Sequence, residues 1–192
     1  MSTKNANGTK SFSVTQRWLH WIVAMLVLTL LPIGFWMVDR AEADIWDGLT
    51  GTLYASHKAL GFLVLWLVAW RLILRAVHTA PDYPTSVSPS IQKLAKTTQW
   101  LMYLLLLIIP LLGWAGVTAF GALNLFWGMS LPAMPGIAAD KVFAKELFAI
   151  HGWLAIALCV LLFMHIAGAL KHLLVDRDGV FDHMSLKTSG KR

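Results

Sequence analysis

Charge is what this sequence has least of. Asp, Glu, Lys and Arg make up 14% of its 192 residues, roughly half the share of an ordinary soluble domain. Hydrophobic residues reach 57% and the mean hydropathy is +0.63, so lipid is the expected solvent. Cysteine is nearly missing too: Cys159 stands alone, inside an apolar run. That excludes a disulfide framework and a thiolate metal cluster, and it leaves Cys159 the role of a small buried hydrophobe. Any metal must rest on histidine, of which there are seven. A continuous basic run interleaved with aromatics is also lacking. The net charge of +6 is instead spread over the ends of apolar segments, the habit of a membrane protein and not of a nucleic-acid binder. The first apolar stretch outruns a signal peptide and has no small-x-small cleavage site, so it is expected to remain as a helix.

Four apolar stretches are long enough to cross a hydrocarbon core of about 30 Å, which takes about 20 helical residues. They cover residues 18–38, 54–74, 100–120 and 147–173. Pro110 is expected to kink the third. Residues 79–90, rich in Pro and Ser, read as a surface linker. The expected fold is an all-α membrane protein, a four-transmembrane-helix bundle spanning residues 13–184. A flexible N-terminus (1–12) and a flexible tail (185–192) flank it. With both termini cytoplasmic, 12 of the 16 Lys and Arg fall inside, which is the orientation the positive-inside rule selects. The outside then carries about −2 and the inside about +8. Trp18, Trp100 and Trp153 sit near span ends, as an interfacial aromatic belt does.

Histidine inside a span needs a reason. Four lie there: His20 at the cytoplasmic end of the first, His57 at the outer end of the second, and His151 and His165 on the fourth. The last two are 14 residues apart. That spacing puts them on one helix face, about 21 Å apart along the axis. His165 then comes level with His20, and His151 with His57. Each pair can clamp an iron between two imidazoles, an arrangement that leaves no axial position for substrate and suits electron transfer. A single intramembrane histidine is as readily a hydrogen bond between helices; two level pairs are harder to explain that way. Zinc would want further ligands at each pair.

The same 14-residue step places Gly34 inward at the outer level and Arg71 inward at the cytoplasmic level. Gly34, Gly61 and Gly168 leave room beside the ligands for a macrocycle. Arg71, or Arg17 one turn before His20, can pair with a haem propionate. His172 continues the face of His165 about 10 Å further on. It is read either as an interfacial helix-end residue or as a quinone contact. His78 and His183 are assigned nothing.

Several stretches are similar to the bacterial cytochrome b561 family. They are Thr15-Gln-Arg-Trp-Leu-His20-Trp, Tyr54-Ala-Ser-His57-Lys-Ala-Leu-Gly61, Trp70-Arg71-Leu-Ile-Leu-Arg75, His151-Gly-Trp, Met164-His165-Ile-Ala-Gly168-Ala-Leu-Lys171-His172 and Asp176-Arg-Asp-Gly. The resemblance spans residues 13–184. It implies a multi-pass inner-membrane cytochrome with two haem b groups, exchanging electrons with the quinone pool, ubiquinone being the expected partner. It implies that His20 and His165 ligate the cytoplasmic haem iron, and His57 and His151 the outer one. Members differ in task. Some resemble superoxide:ubiquinone oxidoreductases, some serve a periplasmic lipid-binding or redox protein, and related subunits anchor hydrogenases or dehydrogenases. Gly34-Phe-Trp-Met, the Tyr54 to Gly61 run and Lys171-His172 are closer to the lipid-binding-partner group. A superoxide role would favour a cationic mouth. The outer count of about −2 speaks against one, although Lys58, Lys141 and Lys145 offer a local basic patch. Membrane lipid is an expected contact; nucleic acid is not.

Overall fold

In lipid every backbone N–H and C=O must find its partner within its own segment, so long apolar runs are committed to helix. The computed structural model describes residues 3–4 and 10–186. It contains four long helices: α1 (Val14–Glu42), α2 (Gly48–Val77), α3 (Pro89–Phe120) and α4 (Lys141–Lys171). All four are long and apolar enough to cross a membrane. Beyond α4 come a π-helical turn, His172–Asp176, and a short 3₁₀ turn, Phe181–His183. A two-residue antiparallel pairing joins Thr3–Lys4 to Lys10–Ser11.

Each helix is longer than its apolar stretch, because polar caps set the ends and lipid does not. Ser13 and Gln16 form a reciprocal capping box at the start of α1, satisfying two orphan N–H groups. Asp47 caps α2 through Thr50 N at 2.9 Å. The Thr50 and Arg40 contacts hold the Asp47 carboxyl below its usual range. Ser88 and Pro89 start α3 well before Trp100, taking the last two residues of the expected linker into the helix; proline at the first helical position costs no hydrogen bond. Asp140 caps α4 through Val142 N and Phe143 N, at 2.8 and 3.0 Å, seven residues ahead of the apolar run. α3 continues as one helix through Pro110. Lengths of 29–32 residues correspond to about 44–48 Å, so the ends project into the headgroup layers.

Successive helices run in opposite directions. The starts of α1 and α3 and the ends of α2 and α4 share the termini side of the bundle; the other end is the loop side. Packing is tightest between α3 and α4 and between α1 and α2, with α2 also against α3. A Cβ on Gly116 would lie 2.5 Å from the Phe148 ring, which is how closely α3 and α4 approach. Val23, Val27 and Leu30 of α1, Val64 and Val68 of α2, Ile109 of α3 and Leu158 of α4 fill the middle of the bundle. Outward residues such as Trp66, Val160 and Phe163 are exposed, as lipid-facing side chains are. On the loop side, Gly121 ends α3 in the left-handed conformation at φ 79°, which glycine adopts without steric cost. The loop that follows is tied back to α3: Trp114 Nε1 donates to the Pro132 carbonyl at 2.8 Å, and Met134 N to Thr118 Oγ1 at 3.0 Å.

Candidate functional site

The four histidines meet as two pairs, one near each end of the apolar middle. On the termini side the His20 and His165 rings have centroids 6.2 Å apart, with planes at 66°. On the loop side His57 and His151 lie 6.1 Å apart at 70°. Among the described residues no hydrogen bond links the rings of either pair. α4 thus faces α1 and α2 through imidazoles.

On the loop side, helix backbone orients the rings. His151 Nδ1 lies 2.8 Å from the Ile109 carbonyl oxygen. A carbonyl only accepts, so Nδ1 carries the proton and Nε2 keeps its lone pair. In a helix the side chain four residues on leans back over a carbonyl. For Ile109 that position is Gly113, which leaves the carbonyl uncovered. A Cβ on Gly113 would lie 3.2 Å from both His151 Cε1 and Nδ1. α1 repeats the device. A Cβ on Gly34 would lie 3.0 Å from His57 Cε1, and Leu30, four residues earlier, is the backbone group that bears on this ring. His57 Nδ1 is nonetheless buried without a well-formed hydrogen bond. Gly34 therefore makes room for an imidazole edge, where the sequence suggested room for a macrocycle. At Gly61 and Gly168 a Cβ would meet no protein atom within 4 Å.

On the termini side, an arginine lies against the pair. Arg71 Nη1 lies 3.2 Å from His20 Nδ1, Nη2 donates to Tyr103 Oη at 3.3 Å, and the guanidinium stands over the Tyr103 ring. A guanidinium only donates, so His20 Nδ1 accepts here. Arg17 is 6% exposed. Its Nη1 donates to the Ser185 carbonyl at 2.7 Å, and its Nε is buried without a partner. Trp21 sets its edge against His20 and donates to the Met184 carbonyl at 2.9 Å. Residues 184–185 are thereby laid across the start of α1, although the sequence suggested a free tail from 185; residues 187–192 lie outside the described set, as do 1–2 and 5–9 of the expected N-terminal segment. His172 stands apart, paired with Asp178 at 2.7 Å. Lys58, next to His57, points at the loop-side connection and donates to the Ala122 and Asn124 carbonyls. Lys141 lies over the Phe120 ring.

Gly113 and Tyr103 were not singled out from the sequence; Trp21, Asp176 and Asp178 entered only within the family-like stretches, with no role given to them. Gly113 could have been, as a glycine in a helix of large apolar residues at the level of His151. Trp21 and Tyr103 look like any interfacial aromatic until the fold sets them beside His20 and Arg71.

Residues 11–186 match the family described as prokaryotic cytochrome b561. The chain belongs to that family. It is 31% identical to cytochrome b561 homolog 2 of Escherichia coli (strain K12) over 185 residues, 95% of each chain. It is 25% identical to the probable superoxide oxidase CybB of Yersinia pestis over 181 residues, 94% of this chain and 99% of that one. As a prokaryotic cytochrome b561 with four membrane-spanning helices, it is a multi-pass protein of the bacterial inner membrane and an electron-transfer protein. Membership implies b-type haem, and the residues fit that group. Two metal–imidazole bonds of about 2 Å, each with about 1.1 Å from nitrogen to ring centre, require centroids about 6.2 Å apart.

Proposed function

We propose that this cytochrome b561 binds two b-type haems, one between His57 and His151 and one between His20 and His165. Through them it would carry electrons between a periplasmic partner and the quinone pool. The observation that carries the reading is His151. Its Nδ1–H is engaged by the Ile109 carbonyl, its Nε2 is free, and a second imidazole faces it at a metal-spanning distance. Metal-ligating histidines almost always donate their other N–H in this way. Held by these histidines, haem would supply one-electron redox chemistry. The remaining work falls to the chain. Gly34 and Gly113 let the loop-side imidazoles sit against backbone, and the apolar middle keeps water from the region between the pairs. Arg71, on leaving His20 Nδ1, would neutralise a propionate, with Arg17 as the second candidate. With the termini side taken as cytoplasmic, as the positive-inside bias favours, ubiquinone would react there, beside His172.

The purified protein should contain about two haem b per chain and show a six-coordinate low-spin spectrum, because both axial positions are filled. His57→Ala or His151→Ala should remove one haem and spare the other; His20→Ala or His165→Ala should do the converse. Full haem content in one of these variants would strike that residue from the ligand set.

A second reading, superoxide:quinone oxidoreductase, is favoured by the name of the Yersinia pestis relative. The loop side weighs against it, since Lys58 is engaged by two carbonyls and Lys141 lies over Phe120. Stopped-flow reduction by superoxide separates the two: rapid, saturable haem reduction coupled to quinone would select the oxidase.

A further inference from the structure

The end of α4 is built unlike the other helix ends. At His172 the helix widens into a π turn through Asp176. Arg177 then takes a left-handed conformation at φ 50°, and Gly179 another at φ 82°. The reversal returns Asp178 to His172, so that Oδ2 lies 2.7 Å from Nδ1 while Oδ1 accepts from Val180 N at 3.1 Å. Asp176 Oδ2 lies 3.4 Å from the same Nδ1. The His172 and Asp178 side chains are 13% and 7% exposed, Asp176 28%. Lys171 Nζ reaches both Asp176 oxygens, at 2.8 and 2.5 Å. The 3₁₀ turn adds Asp182 and His183, the His183 ring lying close enough to Asp182 and Asp178 to feel both carboxylates.

An ionised carboxylate only accepts, so Asp178 fixes the proton of neutral His172 on Nδ1 and leaves Nε2 basic. When Nε2 takes a proton, the same carboxylate stabilises the resulting imidazolium. This is the logic by which a buried Asp orients and supports a catalytic His. The three residues also have ligand atoms close enough for a metal ion. However, Nδ1 is already committed to a carboxylate, and the Lys171 ammonium already neutralises Asp176.

We propose that His172 and Asp178 form a proton-transferring pair that serves quinone on the termini side. This rests on the reading of His172 as the quinone contact. Reduction of a quinone to quinol takes two electrons, delivered singly from the His20–His165 site, and two protons. For each proton the Nε2–H bond of His172 breaks as an O–H bond forms on a quinone oxygen. Nε2 is then reprotonated from water on the termini side, while Asp178 keeps the other ring proton on Nδ1. The pair works twice per quinone, and in reverse when quinol is oxidised. Asp178 is a positioning residue, acting through His172.

The test is Asp178→Asn in the haem-loaded protein, reconstituted in liposomes with decylubiquinone. Asparagine keeps an acceptor for Val180 N but does not stabilise an imidazolium. Both haem spectra and the affinity for a quinone-site inhibitor should stay at parent values. Electron exchange with decylubiquinone should fall by about 10²-fold, its pH optimum should move to lower pH, and Asp178→Glu should recover part of the rate. ¹⁵N-histidine NMR of the parent should show His172 as the Nδ1–H tautomer at high pH; the Nε2–H tautomer would overturn the proposal even if the variant proved unstable. A parent rate with a parent pH profile in Asp178→Asn overturns it as well. If His172→Ala slows exchange in that case, the quinone reading survives without the relay. If His172→Ala also exchanges at the parent rate with unchanged inhibitor affinity, the quinone reading has itself failed.

Discussion

Gly34→Ala isolates the part of the loop-side site that rests on missing atoms. An added Cβ would lie 3.0 Å from His57 Cε1 and 3.4 Å from Nδ1, where ordinary carbon contact begins near 3.5 Å. The ring must therefore retreat by about half an ångström, in a bundle packed densely enough that side chains do not retreat freely. The variant is still expected to insert and fold, because alanine in a helix interior gains about 0.5–1 kcal/mol over glycine. Misplacing a ligand's support typically costs about 10–100-fold in metal affinity, or about 1.4–2.7 kcal/mol. Haem titration into haem-depleted protein should thus show one site weakened by that factor and the other, about 21 Å away by helix rise, at parent affinity. Gly51→Ala is the control, since a Cβ there meets nothing within 4 Å. Two parent affinities in Gly34→Ala, or equal weakening of both, would refute the claim that Gly34 seats His57.

Gly113→Ala should reproduce the selective loss on the same haem, since its Cβ crowds His151 at 3.2 Å; haem content by pyridine haemochrome is the measurement. Gly61→Ala should leave the haem-free protein's thermal stability unchanged or raised, as no protein atom lies within 4 Å, so any loss of haem affinity in that variant reports the macrocycle itself. Burial lowers the His183 pKa from its usual 6.5, Asp182 and Asp178 pulling weakly the other way. A depressed histidine contributes stability that is present above its unfolded pKa and lost as pH falls through 6.5 toward the folded value. The protection factors of residues 181–185, which correct for the intrinsic pH dependence of exchange, should therefore fall between about pH 7 and 5, and His183→Gln should flatten that dependence.

What was legible in the sequence was whatever follows from period and length. Helix number, the level pairing of His20 with His165 and of His57 with His151, and the inward set of Arg71 all come from 3.6 residues per turn acting on one long apolar segment at a time. The helix ends were harder to read, because the capping residues Ser13, Asp47, Ser88 and Asp140 lie outside the apolar runs and act through hydrogen bonds that hydropathy does not register. Contacts that depend on how one helix is rotated against its neighbour were not legible. That Gly113 uncovers the Ile109 carbonyl for His151 depends on how α3 is rotated against α4. The return of Asp178 to His172 depends on a π turn and a left-handed Arg177, neither of which has a residue signature. Arg17 shows the same limit from the other side: its position near His20 was readable, but not its bond to Ser185, 168 residues away.

The two histidine pairs are alike in spacing and unlike in charge, and with a haem in each the difference is expected to give the electron a direction. On the termini side a guanidinium touches the pair itself, Arg71 Nη1 at 3.2 Å from His20 Nδ1. On the loop side Lys58, the residue after His57, is drawn toward the Ala122 and Asn124 carbonyls. Reduction of a haem iron removes one positive charge, so a neighbouring cation favours the reduced form. A unit charge about 7 Å from the redox centre at an effective dielectric near 20 is worth about 2 kcal/mol, which for one electron is about 100 mV. The termini-side haem should therefore hold the higher potential, and electrons entering on the loop side should run downhill toward the quinone. A redox titration of the parent should resolve two steps, the higher one vanishing in His20→Ala or His165→Ala. Arg71→Leu should lower that step by tens of millivolts, with about 100 mV as the ceiling, and leave the other nearly in place. If Arg71→Leu binds both haems and titrates like the parent, Arg71 does not set the potential, and the charge asymmetry of the bundle does not set the direction of flow.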